Sequence, residues 1–225
     1  MSNVDSFAVK SKKMKTIALF GGTGKTGKRF LKKALEMGYQ VNALARSPEK
    51  ISDLTSENLR IVKGDVLVPD DVERTIAGAD LIVSLFGHVK GSPDRLQTKG
   101  TKLIVTSMKN HGVDRILSLS GGGLPFPEKD EPKFPDKMIR FIMKIAVPKI
   151  LNDAKEHARV LKNSGLKWVI VRGPRLTEQP GKGNYRVGWV GVNASTQISR
   201  DDLADFLVTL VEDESYDYQM PFVSV

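Results

Sequence analysis

Thr16-Ile17-Ala18-Leu19-Phe20-Gly21-Gly22-Thr23-Gly24-Lys25-Thr26-Gly27-Lys28-Arg29 is an apolar run that ends in clustered glycines and passes into a helical pattern. A strand turning abruptly into a helix gathers several backbone N–H groups around one point. Glycine allows the tight turn and lets a phosphate approach the backbone, and the helix N-terminus adds partial positive charge. Two nucleotide-binding motifs compete for this stretch. Gly22-x-Gly24-x-x-Gly27 matches the dinucleotide fingerprint, as does the variant spacing Gly21-x-x-Gly24-x-x-Gly27. The P-loop pattern fails in both registers: Arg29 stands where Ser or Thr must hold magnesium, or Leu19 stands where the first glycine is required.

Outward from this turn, apolar runs alternate with helical patterns. Strands are expected at 16–20, 40–45, 59–63, 80–85, 115–119, 167–172 and 221–224. Helices are expected at 25–38, 48–54, 70–77, 93–111, 136–163 and 200–212. Parallel strands need such crossovers, so the pattern predicts an α/β, Rossmann-type doubly wound sheet, one domain over 1–225 with a basic N-terminal tail at 1–15. Two stretches break the rhythm, 121–151 and 173–198. Both leave the carboxyl ends of strands, where open α/β sheets bind ligands, so both are candidate substrate walls.

Composition narrows the function. The 225 residues include no Cys and three scattered His, which excludes thiol chemistry and a zinc–thiolate site and leaves no expected metal site. The net charge of +9 has no accompanying nucleic-acid recognition signature, and it fits attraction of a polyanionic small molecule better than nucleic acid. The N-terminus has no apolar signal region, and no run reaches the roughly 18 apolar residues of a spanning helix. A cytoplasmic protein is the resulting expectation.

The second strand ends in Ala45-Arg46-Ser47, with Lys50 one turn on. In a dinucleotide fold the residue about 20 positions past the glycines reads the ribose. Asp or Glu there favours NAD, whereas a guanidinium suits the 2′-phosphate of NADP. Asp65, after the third strand, can accept from the adenine amino group or cap the next helix. Ser84-Leu85-Phe86-Gly87-His88 ends the fourth strand with a glycine that permits close backbone approach.

Together these residues resemble the atypical short-chain dehydrogenase/reductase superfamily, and most closely its small NAD(P)H-binding proteins of the biliverdin-IXβ/flavin reductase and NmrA-like type. The carriers are Phe20 to Gly27, Ala45-Arg46, Gly64-Asp65-Val66, Leu117 to Ser120, Val160 to Trp168, Arg172 to Arg175, and Ser199 to Ala204. The resemblance implies NADP on the glycine turn, with NADPH preferred over NADH. Gly21, Thr23, Gly24, Lys25, Thr26 and Gly27 would hold the phosphates, and Arg46 and Lys50 the 2′-phosphate. Asp65 and Val66 would meet the adenine, and Leu85, Phe86 and Gly87 the nicotinamide ribose.

The Tyr-x-x-x-Lys pair of ordinary short-chain dehydrogenases is missing from the fifth-helix region. Ser120 stands near the family's catalytic serine and Lys155 near its lysine region. His157 is a third candidate, against the plainer reading of a surface histidine. Ala154 and Arg175 replace the histidines of biliverdin-IXβ reductases, which argues against a bilin substrate. The expected activity is hydride transfer from NADPH to a small planar acceptor such as a flavin or quinone. A non-catalytic NADP(H) sensor and a sugar epimerase or dehydratase are the alternatives. On the substrate side Leu124, Phe126, Met138 and Arg175 are singled out. The first three are expected in a mobile apolar lid, while a helix packed on the sheet and a membrane-surface helix are the competing readings of 136–147.

Overall fold

The computed structural model describes residues 14–225, so Lys10, Lys12 and Lys13 of the basic tail lie outside the described residues. β1 (Thr16–Phe20) leads through α1 (Lys25–Glu36) to β2 (Gln40–Ala45), followed by β3 (Leu59–Lys63), α2 (Pro69–Ile76), β4 (Leu81–Ser84), α3 (Leu96–His111) and β5 (Arg115–Gly121). Then come α4 (Phe134–Ala146), α5 (Pro148–Lys162), β6 (Lys167–Gly173), β7 (Arg175–Thr177), β8 (Arg186–Gly188), β9 (Gln197–Ser199), α6 (Arg200–Thr209) and β10 (Phe222–Ser224).

The main sheet has the order β3-β2-β1-β4-β5-β6-β10-β8 and is parallel except for the β10–β8 edge pair. The order reverses between β1 and β4, where a doubly wound sheet opens its ligand crevice. Strand alternation divides the core. Ile17, Leu19, Val41 and Val83 face the α1–α6 layer, while Ala18, Phe20, Ile82 and Ile116 face the α2–α3–α5 layer. α1 buries Thr26, Gly27, Phe30, Leu31 and Ala34, one stripe at helical spacing.

Three expectations need correction. Residues 48–54 form only a short 3₁₀ turn, Pro48–Ile51. The single long helix 136–163 is two helices, because Pro148 cannot continue α4 and instead starts α5 at its first turn. The stretch 173–198 contains three short strands, with β7 and β9 paired as a small parallel sheet and β8 on the main-sheet edge.

Candidate functional site

The glycine turn is built by close approach. Gly21 has φ +88°, and a Cβ there would lie 2.5 Å from the Phe86 backbone nitrogen, so turn and post-β4 loop touch only because Gly21 has no side chain. A Cβ on Gly27 would lie 2.1 Å from the Gly21 carbonyl oxygen, which locks α1 against the turn. Gly24 is the N-cap of α1, no side chain caps it, and the first turn carries no acidic residue. The first-turn N–H groups and the positive helix end are therefore left for an anion. Thr26 accepts from Arg200 Nη1 at 3.0 Å. Glu178 gathers Lys25 (3.0 Å), Arg29 (3.3 Å) and Arg200 (2.8 Å) beside the turn, and the bonds from Lys25 and Arg200 hold its carboxyl below the usual range.

A chain of hollows runs from this turn along the carboxyl ends of the strands. The first is lined by Gly21, Thr23, Gly24, Arg46, Asp65, Val66, Leu85, Phe86 and Gly87, which brings most of the sequence-predicted cofactor residues together. Arg46 is 63% exposed at its mouth and lies 3.8 Å from Asp65. Asp65 Oδ1 accepts from the Leu67 backbone N–H at 2.8 Å, so it shapes the turn before α2 as well as lining the hollow. Lys50 sits on the 3₁₀ turn, exposed, and is not among the lining residues.

Beyond Leu85–Gly87 the cleft passes Ser120, Gly121, Gly173 and Pro174, with His88 and Gln97 on its wall. A Cβ on Gly87 or Gly121 would meet nothing within 4 Å, so both keep the cleft open. Ser120 is buried, and its Oγ has no hydrogen-bond partner among the described residues. His88 Nε2 lies 2.6 Å from Asp153 Oδ2. Asp153, from α5, also accepts from the backbone N–H groups of Gln97 and Thr98, both at 2.9 Å, and so caps α3 from outside its own helix. Burial pushes the Asp153 carboxyl up, but bonds from Thr98, His88 and Gln97 outweigh it and hold the group below its usual range. The His88–Asp153 pair escaped sequence reasoning. Its members are 65 residues apart, and the only local signal was that Asp153 precedes His157 by one helical turn.

The other catalytic candidates are placed differently. His157 is a core residue, not a surface one: Nδ1 meets Thr101 Oγ1 at 2.8 Å and Nε2 meets Ser118 Oγ at 3.0 Å. Burial drives its pKa down to about 4, against a partial opposing pull from Asp153. It is neutral at physiological pH and lies one turn deeper than Asp153. Lys155 projects from the exposed face of α5, away from the cleft-facing Asp153.

The last hollow, about 410 Å³, is walled by Gly121–Gly123, Ile139, Arg140, Met143, Pro174, Arg175 and Phe222. Arg175 lines this hollow, with Nη2 donating to Gln197 Oε1 at 2.8 Å. Leu124 and Phe126 are not lid residues. Both are buried in the α3–α5 core layer, and Phe126 packs on Trp189 with ring centroids 5.7 Å apart. Met138 faces outward, and Ile139 and Met143 take the wall in its place. The loop before α4 is tied to the core through Asp130. Arg172, fully buried, binds Asp130 through both Nη atoms at 2.8 and 2.9 Å, and Asp130 also accepts from Phe126 N, Val190 N and Arg140 Nη2.

Residues 21–214 match the family model described as NAD(P)H-binding. The chain belongs to this NAD(P)H-binding family. Among curated relatives, YwnB of Bacillus subtilis is 23% identical over 210 residues, covering 88% of this chain and 91% of that one. Among solved structures, a Veillonella parvula short-chain dehydrogenase/reductase in complex with NADP superposes with TM-score 0.76 at 17% identity, with 94% of each chain covered. ChuY, an anaerobillin reductase from Escherichia coli O157:H7, superposes with TM-score 0.74 at 18% identity, covering 93% of this chain and 96% of that one.

The residues present fit the group that the family binds. An NAD(P)H-binding protein needs an uncapped helix end for the pyrophosphate, and α1 supplies it. It needs open backbone where the far ribose and ring approach, and Gly87 and Gly121 leave it. Ser120 lines the cleft, and its buried Oγ has no hydrogen-bond partner among the described residues, so it retains capacity for a polar ligand atom. No group of three or more His, Cys, Asp or Glu among the described residues could hold a metal ion.

Proposed function

We propose that the chain is an NADPH-dependent oxidoreductase that passes hydride to a small planar acceptor of the flavin or quinone class. The observation that carries this is the orphaned Ser120 hydroxyl beside the His88–Asp153 pair, in a cleft that joins the glycine turn to an apolar hollow. When bound, the nicotinamide supplies a hydride from C4. α1 and Thr23 hold the phosphates. Arg46 reads the 2′-phosphate, with Lys50 on the following 3₁₀ turn adding positive charge, and Asp65 and Val66 border the adenine. Ser120 orients the bound ring or acceptor through its free hydroxyl. Reduction of a flavin or quinone takes one hydride and one proton for each two electrons. His88, oriented by Asp153, delivers that proton, the work an imidazole does best when a carboxylate fixes its ring. Gly121–Gly123, Met143 and Phe222 form the acceptor wall, where Met adapts to rings of different shape.

NADPH oxidation followed by absorbance, with FMN or a soluble quinone as acceptor, tests this. The wild-type protein is expected to turn over. Ser120→Ala and His88→Ala should each lower kcat, the latter by about 10²-fold or more, without changing NADPH affinity comparably. NADPH binding without oxidation by any such acceptor would refute the reductase reading and favour a sensor of NADP(H). That second reading has its own support, since none of the four tyrosines lines the cleft: Tyr39 bonds Glu212, Tyr185 and Tyr216 pack on Phe206, and Tyr218 packs on Trp168.

A further inference from the structure

α4 inverts the usual arrangement of a helix on a globular domain. None of its residues is buried. Its inward stripe is Asp136, Arg140 and Met143, and Arg140 is drawn in by Asp130 at 2.6 Å. Phe134, Met138, Phe141 and Ile145, spaced four, three and four residues apart, point outward together with Ile142. Phe134 is 76% exposed, Phe141 60% and Ile145 66%. Scattered exposed apolar residues are ordinary, but five large ones on one helical face are not. Lys133, Lys137 and Lys144 run down one flank of this face, all exposed and in no ion pair among the described residues. The sole carboxylate of α4, Asp136, accepts from the Lys133 backbone N–H at 2.9 Å.

We propose that α4 docks the protein, lying flat, on an anionic lipid surface. Charge selects this occupant. A second copy packed face to face would bring six flanking lysines together, and the one carboxylate of each helix, Asp136, lies on the inward stripe and already accepts from the Lys133 backbone N–H. An anionic headgroup layer meets them directly, while the aromatic and aliphatic face enters the acyl boundary. Shape agrees, since a raised convex helix needs a complementary groove on a folded partner, whereas a fluid interface conforms to it. At 13 residues α4 is too short to cross a bilayer, and no helix among the described residues is long and apolar enough to do so. The net charge of +9 steers the chain to such a surface. The proposal does not depend on the reductase reading.

Co-sedimentation of the full chain with vesicles of phosphatidylcholine, alone or mixed with phosphatidylglycerol, tests it. Binding is expected to the mixed vesicles only. Each flanking lysine near the surface is worth about fivefold, so Lys137→Gln with Lys144→Gln should weaken binding about 25-fold. Phe141→Ser with Ile145→Ser leaves the charge unchanged and should abolish sedimentation. Thermal unfolding should be unaltered, because both side chains are exposed; if that pair fails to fold, Ile142→Ser alone gives the same readout. Three results would overturn the proposal: no binding to the mixed vesicles, binding that the α4 variants leave intact, or a solution dimer that Phe141→Ser dissociates.

Discussion

Lowering the pH from 7 to 4.5 should destabilise the protein through His157, and substituting His157→Gln should remove that part of the loss. In the fold the imidazole is buried between Thr101 and Ser118, and its pKa falls from 6.5 to about 4. The unfolded chain therefore binds a proton below pH 6.5 that the folded chain refuses until about pH 4. Stability rises with pH wherever the unfolded state holds more protons. The contribution is thus complete above pH 6.5 and is lost as pH falls through that window. A full 2.5-unit difference, from 6.5 to about 4, corresponds to about 3 kcal/mol at about 1.4 kcal/mol per unit. By pH 4.5 some 2–3 kcal/mol of it should be gone.

Urea unfolding of both proteins across this range isolates the effect, because every other titrating group is common to the two. At pH 7 the wild type should be the more stable by about 1–2 kcal/mol, the worth of two hydrogen bonds that glutamine meets only in part. That advantage should vanish or reverse by pH 4.5. With a slope near 2.5 kcal/mol per molar urea, the midpoint difference should move by about 1 M. A midpoint difference that stays constant from pH 7 to pH 4.5 would refute the argument, since it would mean that the imidazole is not held neutral by burial.

Arg46→Ala should cost NADPH about 10- to 100-fold in affinity and leave NADH nearly unchanged, because a charge-assisted bond is worth roughly 1.5–3 kcal/mol; fluorescence titration of both cofactors checks it, and equal affinities in the wild type would remove the assignment. Gly27→Ala should weaken either cofactor at least tenfold, since the new Cβ would stand 2.1 Å from the Gly21 carbonyl oxygen, whereas Gly22→Ala meets only the flexible Leu19 side chain at 3.0 Å and should do less. Asp130→Ala should destabilise the fold by about 3–5 kcal/mol, because it strands the Arg172 guanidinium in the core; denaturant midpoints measure it, and a loss below about 1 kcal/mol would show that the guanidinium finds other partners.

The β1–α1 turn was legible because its determinants are contiguous: a short apolar strand, glycines at fixed spacing, then a helix. The same holds for the Ser199 cap, whose hydroxyl accepts from Asp202 N at 2.9 Å. β7, β8 and β9 were not legible. Each has three residues, too few for alternation to rise above a background of Gly, Pro and Asn. α4 misled for a different reason. Dense apolar residues at helical spacing normally mark a buried face, yet here Arg140 is pulled inward by Asp130, a partner ten residues away in a loop without periodicity. That contact lies on the inner stripe, opposite the exposed Phe134, Phe141 and Ile145.

His157 lies in the core and Asp153, one turn of α5 away, pairs with His88 on the cleft wall, and the reason lies in how a strand and a helix stack their polar residues. Ser118 and Ser120 share one face of β5, while Asp153 and His157 share one face of α5. They form two layers. In the deeper one Ser118, His157 and Thr101 close on one another, so every polar atom of the imidazole is used inside the core. In the layer nearer the cleft Asp153 caps α3 and grips His88, while Ser120 Oγ has no partner. Sequence alone does not separate the two layers, but only Ser120 and His88, of the nearer one, line the hollow. The deeper layer joins α3 to α5 at Thr101 and His157, and so sets the height at which Asp153 meets the start of α3. That in turn holds His88 against the cleft. His157 on this account acts on the site through Asp153, and its removal should be felt there as a displaced His88 and not as a missing proton.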